Sequence, residues 1–437
     1  MRRIVPSFFA LSLLLAVSFC FAPAGENVSS ARQQLDDLRG KVRAAHSAGD
    51  AAAYLAGSLQ MRKFLHGSPS SILQVMSAQA FNRDEAAALA SFEQFIVMGQ
   101  SDRKALESPV FADLRRSAVF KTLEERMGEN DRSIAAGSTV FAMPEAGLIP
   151  EDIDYDPVTR RFYISSVLKN EVLAVDLSGH FRIFARAPDG LPMMALKVDS
   201  RRRRLWVTEV ALNGFAAIPK EKWRTSVILI YDLDSGRLWQ RAPGPPQATL
   251  GDMALTPAGD GIVSDNDGRV YRVYGKGMRF ERLDGDEFIS PQTPAISADG
   301  RIAYIPDYLR GIAMLDLTTK NVSWMDGQGK YALNGIDGLY LSGRTLMATQ
   351  NGTSPERVVR FELDPSLTRI ESESILERST PALGDPTHGV VLNSAFYYIA
   401  NSGWDTLEDD GTLKPGAVAV KSRLMRADLG SGGSETR

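Results

Sequence analysis

The sequence predicts a mainly β protein: a six-bladed β-propeller with a small N-terminal α-helical domain. Two observations predict this fold. A strand–turn–strand pattern recurs through the chain beyond residue 138, and helical periodicity is confined to the residues before it. The composition, 44% hydrophobic and 24% charged with a net charge of −3, is that of an ordinary globular protein. It lacks the basic excess that neutralises phosphates, so no nucleic-acid partner is expected.

The N-terminus has the features of a secretory signal peptide. Arg2 and Arg3 supply positive charge, an apolar run extends from Phe8 to Phe21, and Ala22-Pro23-Ala24 forms a cleavage site. The apolar run is short for a membrane span, so we expect no membrane span after cleavage. The sequence therefore predicts a signal peptide at residues 1–24 and a periplasmic or secreted protein.

Residues 26–133 have the periodicity of helices. Leu35, Leu38, Val42 and Ala45 recur at helical spacing, and a helix pair is predicted over residues 70–98 with a turn at Asn82-Arg83. This pair resembles a degenerate tetratricopeptide unit. Two interpretations stay open: a module that binds a protein partner, and a helical cap that binds none.

The propeller is predicted over residues 138–430, because six stretches share one pattern. Each has a short alternating apolar run, a turn, and a second β-rich run that ends in polar residues. The turns of these stretches lie roughly 40–57 residues apart, and a repeat of about 40–50 residues with several short strands per unit is typical of propeller blades. The six turns lie at Pro157, Ser200, Pro257, Ala298, Ser342 and Asn393.

The sixth repeat lacks a fourth strand, because the chain after Leu429 is rich in glycine and polar residues. Residues 431–437 are therefore predicted to be a disordered tail. The unassigned strand at Ser138–Met143 is predicted to supply the missing outer strand, which closes the ring without an open sheet edge.

Alignment of the six inner strands on their turns places one residue of each blade at an equivalent position near the tunnel. These residues are Glu151, Met194, Gly251, Gln292, Asp337 and His388. Four of them, Glu151, Gln292, Asp337 and His388, are predicted to form a metal site. Carboxylate and amide oxygens favour Ca²⁺, while the imidazole would also suit Zn²⁺ or Mn²⁺. Polar residues around a wet tunnel are the alternative interpretation.

The segments PEDIDYDP…RFYISS, DMALTPAGDGIVSD, DGRIAYIPDYLRGIAMLDL and IDGLYLSGRTLMATQNG resemble the gluconolactonase/regucalcin family over about residues 140–428. The resemblance implies a six-bladed propeller with a divalent cation in the tunnel and lactonase activity. It matches Glu151 and Asp337 to the glutamate and aspartate that bind the metal. Gln292 and Gly251 stand where the family has asparagines.

Two functions follow as expectations. The first is a metal-dependent hydrolase of a lactone or ester, in which His388 and Asp337 are the catalytic candidates and a divalent cation, calcium before zinc or manganese, is the cofactor. The second is a non-catalytic propeller that binds a ligand or a protein. Further candidates on the face that would bind a small-molecule substrate are Asp252, Asn266, Asp307, Asn351, Asn401 and Trp404.

Overall fold

The computed structural model describes residues 29–429. The predicted signal peptide and the predicted C-terminal tail lie outside the described residues. Within residues 29–429, no helix is long and apolar enough to cross a membrane.

The helices all precede the propeller strands, apart from two short 3₁₀ turns at Lys220–Lys222 and Trp404–Thr406. Side-chain oxygens of Ser30, Asp50, Asp84 and Asp102 cap four of them by accepting backbone N–H groups. The helical layer, residues 31–129, contains α1 Ala31–Ser47, α2 Ala51–Phe64, α3 Pro69–Phe81, α4 Glu85–Val97, α5 Arg103–Leu106 and α6 Ala118–Glu129, with 3₁₀ turns at Pro109–Phe111 and Leu114–Arg116.

Six antiparallel sheets follow, and the predicted six-bladed β-propeller is confirmed. Before the first blade lie β1 Ile134–Ala135 and β2 Gly137–Ala142. Blade one is β3 Pro150–Asp156, β4 Arg161–Ser166, β5 Glu171–Asp176 and β6 Phe181–Arg186. Blade two is β7 Met193–Asp199, β8 Arg204–Ala211, β9 Thr225–Asp232 and β10 Leu238–Pro243. Blade three is β11 Leu250–Leu255, β12 Gly261–Asp265, β13 Arg269–Val273 and β14 Phe280–Arg282.

The second half of the ring has the same plan. Blade four is β15 Ala295–Ile296, β16 Ile302–Asp307, β17 Gly311–Asp316 and β18 Val322–Trp324. Blade five is β19 Ile336–Ser342, β20 Thr345–Gln350, β21 Arg357–Leu363 and β22 Ile370–Arg378. Blade six is β23 Gly389–Leu392, β24 Ala395–Ala400 and β25 Arg423–Asp428.

An N-terminal strand closes the ring, as the sequence predicts. Strand β2 pairs with β25 as the outer strand of blade six, with Gly137 opposite Ala427 and Ala142 opposite Arg423. The short strand β1, which the sequence analysis did not assign, pairs with β22 and becomes a fifth strand of blade five. Because both ends of the propeller segment share one sheet, the ring has no unpaired seam.

Apolar side chains fill the spaces between neighbouring blades. Ile153 and Phe162 of blade one pack in one cluster with Ile399 and Leu424 of blade six. Similar clusters join the other adjacent pairs of blades. Burial of these faces at about 25 cal/mol per Å² is the main force that holds the blades together, and it fixes the positions of the inner strands around the tunnel.

The helical layer packs against loops of blades three to five. Ala332 belongs to an apolar cluster that is otherwise helical, and Ile289 packs in a second cluster with α1 and α2. The guanidinium of Arg310 lies 4.4 Å from the ring centroids of both Phe64 and Trp324. These loops adjoin the same strand ends as Glu151 and Asp337, so the helical layer lies on the face of the tunnel mouth.

Candidate functional site

A cavity of about 490 Å³ opens at the mouth of the tunnel. Its wall is built by the first residues of inner strands and by the loops between second and third strands. The lining residues are Glu151, Met194, Leu212, Asn213, Phe215, Arg224, Thr249, Asn266, Asp267, Tyr308, Asp337, Asn351, Asp385 and Trp404.

Irregular pairing near the start of the inner strands explains how side chains reach this cavity. The register between first and second strands shifts between Pro150 and Ile153 in blade one and between Ile336 and Gly338 in blade five. Blades two and three have equivalent shifts. A bulge leaves a residue out of the ladder and redirects its side chain. The predicted equivalent residues of these four blades all lie within these irregular segments.

The carboxyl group of Glu151 is buried and accepts a short hydrogen bond. Trp404 Nε1 donates to Glu151 Oε2 at 2.5 Å. Burial raises the pKa of Glu151 to about 8, because the cavity wall replaces water around the charged form; His388 lowers this pKa and the charge of Asp337 raises it further. Without a cation in the cavity, Glu151 is therefore mostly protonated near neutral pH.

Asp337 faces the same cavity from blade five. Its Oδ2 accepts a hydrogen bond of 3.1 Å from Asn351 Nδ2, and Tyr308 donates its hydroxyl to Asn351 Oδ1 at 3.0 Å. Burial raises the pKa of Asp337 to about 7, with an opposing effect of His388 and a further rise from Asp252. The structure thus brings together two carboxyl groups that titrate near neutral pH.

His388 lies beside both carboxyl groups but does not line the cavity. Its Nδ1 is 2.7 Å from the carbonyl oxygen of Glu151, and its Nε2 is 2.9 Å from Asp252 Oδ1. The imidazole is 1% exposed. Burial alone lowers the pKa of His388, but Asp337 and Asp252 raise it well above its usual value. Both ring nitrogens already have acceptors, so neither is free to bind a metal ion.

The Gln292 side chain also points away from the cavity. Its Nε2 donates to Ser290 Oγ at 3.0 Å and does not reach the lining. Of the four predicted metal ligands, the structure therefore places only Glu151 and Asp337 at the cavity surface.

The side-chain amide of Asn266 occupies the space that the side chain of an asparagine at position 251 would fill. A Cβ atom on Gly251 would lie 2.6 Å from Asn266 Oδ1, because the turn between β12 and β13 brings the Asn266 amide into that space. The glycine therefore leaves room for an amide from another position of the same blade.

The other predicted residues of this face divide into two groups. Asn266, Asn351 and Trp404 line the cavity, whereas Asp252, Asp307 and Asn401 do not. Asp307 is fully buried and accepts backbone N–H groups of two neighbouring loops, at Ile289–Ser290 and Leu309–Arg310. Its role in this structure is to hold those loops to blade four.

Several lining residues were missed by the sequence analysis. Arg224 Nη2 and Asp267 Oδ2 form an ion pair at 2.5 Å. Asp385, whose pKa is raised by burial, accepts a hydrogen bond of 2.9 Å from Ser402 Oγ. Asp385 comes three residues before His388 in the loop that enters blade six, and that position was the signal that could have identified it.

The lining suits a hard divalent cation through oxygen donors. Within residues 29–429, no group of three or more His, Cys, Asp or Glu side chains is arranged to hold a metal ion. Two carboxylates and the Asn266 amide oxygen nevertheless supply the donor types that Ca²⁺ prefers. Burial is the largest cause of the raised pKa of each carboxyl group, and the charge of His388 opposes it in both.

No family model matches this chain, and no curated protein matches it either. Among solved structures, it is similar to a luciferin-regenerating enzyme at 13% identity, covering 68% of this chain and 96% of that one, with a TM-score of 0.48. It is also similar to regucalcin, a calcium-binding protein of Agrobacterium tumefaciens, at 15% identity, covering 67% and 93%, with a TM-score of 0.44.

A third similar structure is virginiamycin B lyase from Staphylococcus aureus, at 12% identity, covering 60% of this chain and 80% of that one, with a TM-score of 0.42. At these identities the similarity concerns the fold alone. The six sheets and the helices before them identify this chain, independently of the comparisons, as a six-bladed β-propeller with an N-terminal helical layer.

Proposed function

We propose that the tunnel mouth is the active site of a hydrolase that acts on a lactone or an ester and uses a divalent cation held by Glu151 and Asp337. One observation carries the proposal. These two carboxyl groups, from blades one and five, share one cavity, and burial raises their pKa values to about 8 and about 7. Two buried carboxylates in one cavity repel each other, so a bound cation or protonation stabilises the pair.

Calcium is the cation that the donors favour. The available donors are the carboxylates of Glu151 and Asp337 and the amide oxygen of Asn266, while the imidazole of His388 is engaged. Oxygen donors select hard cations over Zn²⁺. When bound, such a cation would polarise a carbonyl group and stabilise negative charge that develops on its oxygen.

The chain's own residues supply proton transfer and positioning. Asp337 lines the cavity, and its carboxylate is positioned to accept a proton from a water molecule there. Asn351 and Tyr308 orient that carboxylate. His388 has no free nitrogen, so we assign it a positioning role beneath Glu151 and Asp252 rather than the role of the base.

Export and a protein partner remain proposals that rest on the sequence. We propose that the mature chain starts near Gly25, as the charged and apolar N-terminal segment suggests. Mass spectrometry of the mature protein would test this, and an intact Met1 on cytoplasmic protein would contradict it.

The helical layer is the proposed surface for a protein partner. A full-length chain that binds no protein through this layer would contradict that role.

The activity is tested with a panel of lactones and esters, assayed with and without a chelator. We expect hydrolysis that chelation abolishes and calcium restores, and a loss of at least about a hundredfold in kcat/KM in Glu151→Gln and Asp337→Asn. Asp154→Asn is the matched control, because Asp154 is a half-buried carboxyl group of the same strand, its pKa is also raised, and it lies away from the cavity. Calcium binding without hydrolysis of any panel member would favour the non-catalytic binding protein.

A further inference from the structure

Three apolar side chains of the cavity lie opposite its acidic side, and we call this group the apolar wall. Met194, Leu212 and Phe215 all come from blade two, whereas Asp337 and Asn351 come from blade five. In a ring of six blades, blades two and five face each other across the tunnel. A molecule in this cavity therefore meets carboxyl and amide groups on the side of blade five. On the side of blade two it meets these three apolar side chains together with the polar side chains of Asn213 and Arg224.

The apolar wall is a built part of the fold. Met194, Leu212 and Phe215 belong to one buried cluster with Ile149 and Leu407, and the Trp404 indole packs against it. The rings of Phe215 and Trp404 have centroids 6.3 Å apart in an edge-on arrangement. The loops that carry Phe215 and Trp404 also bind each other, since Ala216 N donates to Asp410 O at 2.9 Å.

Trp404 connects this wall to the acidic side. Its ring packs on Phe215, while its Nε1 donates to Glu151 Oε2 at 2.5 Å. Trp404 therefore fixes the position of the apolar wall relative to the carboxyl group of Glu151.

We propose that the substrate of this site carries an apolar alkyl or aryl group beside its carbonyl group, and that Met194, Leu212 and Phe215 bind that group. This inference rests on the proposed function, because it places the carbonyl group near Glu151 and Asp337. Hydroxyl groups placed directly against these three side chains would lose hydrogen bonds to water without gaining new ones.

The test compares γ-lactones that differ only in their side chain: unsubstituted, γ-methyl and γ-hexyl. The corresponding lactams serve as hydrolysis-resistant ligands whose dissociation constants are measured by calorimetry with calcium present. Each methylene buried on the wall should tighten binding about fourfold. We therefore expect the γ-hexyl compounds to bind at least about tenfold more tightly than the γ-methyl compounds, both as lactams in Kd and as lactones in KM.

Two near-isosteric variants replace the apolar surface with amide groups, Met194→Gln and Leu212→Asn. Each should remove most of the difference between the γ-hexyl and γ-methyl lactams while changing the affinity for the unsubstituted lactam less than about twofold. The matched control is Thr249→Val, which alters a blade-three residue of the same cavity and should leave the γ-hexyl preference in place.

The outcomes separate this inference from the proposed function. Equal affinity for the γ-hexyl and unsubstituted lactams in the wild-type protein would overturn the inference, even if lactones are hydrolysed. A γ-hexyl preference that the two variants leave unchanged would also overturn it. A preference that the variants abolish, with no lactone hydrolysed, would support the inference and contradict the hydrolase.

Discussion

His388 and Asp252 meet across the axis of the propeller, with Nε2 of the imidazole 2.9 Å from Oδ1 of the carboxylate. They belong to blades six and three, which are opposite each other in the ring. Thr293 of blade four donates to the same Asp252 oxygen at 2.5 Å, and His388 Nδ1 reaches the carbonyl of Glu151 in blade one. This hydrogen-bonded chain ties four blades together beneath the cavity.

His388→Ala is expected to destabilise the protein strongly. The substitution leaves Asp252, which is 5% exposed, without its cationic partner. Loss of one partner of a buried pair costs roughly 3–5 kcal/mol of unfolding free energy. Urea unfolding measures this cost. The double variant with Asp252→Asn should recover part of the loss, and strictly additive effects would contradict a direct interaction between the two side chains.

The cation-free protein is expected to lose stability as the pH rises from 6.5 to 8.5. Burial raises the pKa values of Glu151 and Asp337 to about 8 and about 7, above their usual values of 4.5 and 3.8. The folded state therefore binds more protons than the unfolded state in this interval, and stability is lost as these groups ionise. The raised pKa of His388 acts in the same direction.

Urea unfolding in the presence of a chelator tests this pH dependence. Glu151→Gln should reduce the slope by on the order of 1 kcal/mol per pH unit. The control Asp154→Asn should keep the wild-type slope, because burial raises the pKa of Asp154 only to about 6. An identical slope in wild type and Glu151→Gln would show that Glu151 does not titrate in this range.

Trp404→Phe is expected to remove the hydrogen bond to Glu151 while keeping an aromatic ring against Phe215. The indole N–H stabilises the charged carboxylate, so its loss should raise the pKa of Glu151 further. Calcium binding, measured as a function of pH, should shift to higher pH by roughly one unit. Trp223→Phe is the control, because Trp223 lies in the loop that carries Phe215 and its indole N–H donates to the carbonyl of Ile218 rather than to Glu151. An unchanged profile in Trp404→Phe would contradict the hydrogen bond.

Deletion of residues 138–143 is expected to destabilise the propeller, since it removes most of β2 and exposes the edge of β25. Deletion of Ile134 and Ala135 is the control, because β1 adds only a two-residue edge to blade five. Thermal unfolding should show a large decrease for the first deletion and a small one for the second. Equal melting temperatures for the first deletion and the intact chain would contradict closure by β2.

The sequence predicted the blades and their closure because these depend on local patterns. Alternating apolar runs and polar turns recur in each repeat, and the missing strand of blade six had an unassigned counterpart at Ser138–Met143. The equivalent positions of Glu151 and Asp337 could be predicted for the same reason, because each precedes the turn of its own repeat by a similar number of residues.

The rest of the site depends on contacts between distant residues, which one sequence does not reveal. Asn266 fills the space above Gly251 through the path of a turn. His388 hydrogen-bonds to Asp252 of the opposite blade, and the Gln292 side chain hydrogen-bonds to Ser290. The helical periodicity of residues 26–133 predicted helices, but it did not predict that they would pack on the face of the tunnel mouth.

The most direct test of the central claim is the melting temperature of the chelator-treated protein with and without Ca²⁺. A hundredfold excess of Ca²⁺ over its dissociation constant should stabilise the wild-type protein by about 2.7 kcal/mol. Glu151→Gln and Asp337→Asn should each lose most of this gain, whereas Asp154→Asn should retain it. No shift of the wild-type melting temperature with Ca²⁺, Zn²⁺ or Mn²⁺, or an equal shift in all variants, would contradict a cation site at Glu151 and Asp337.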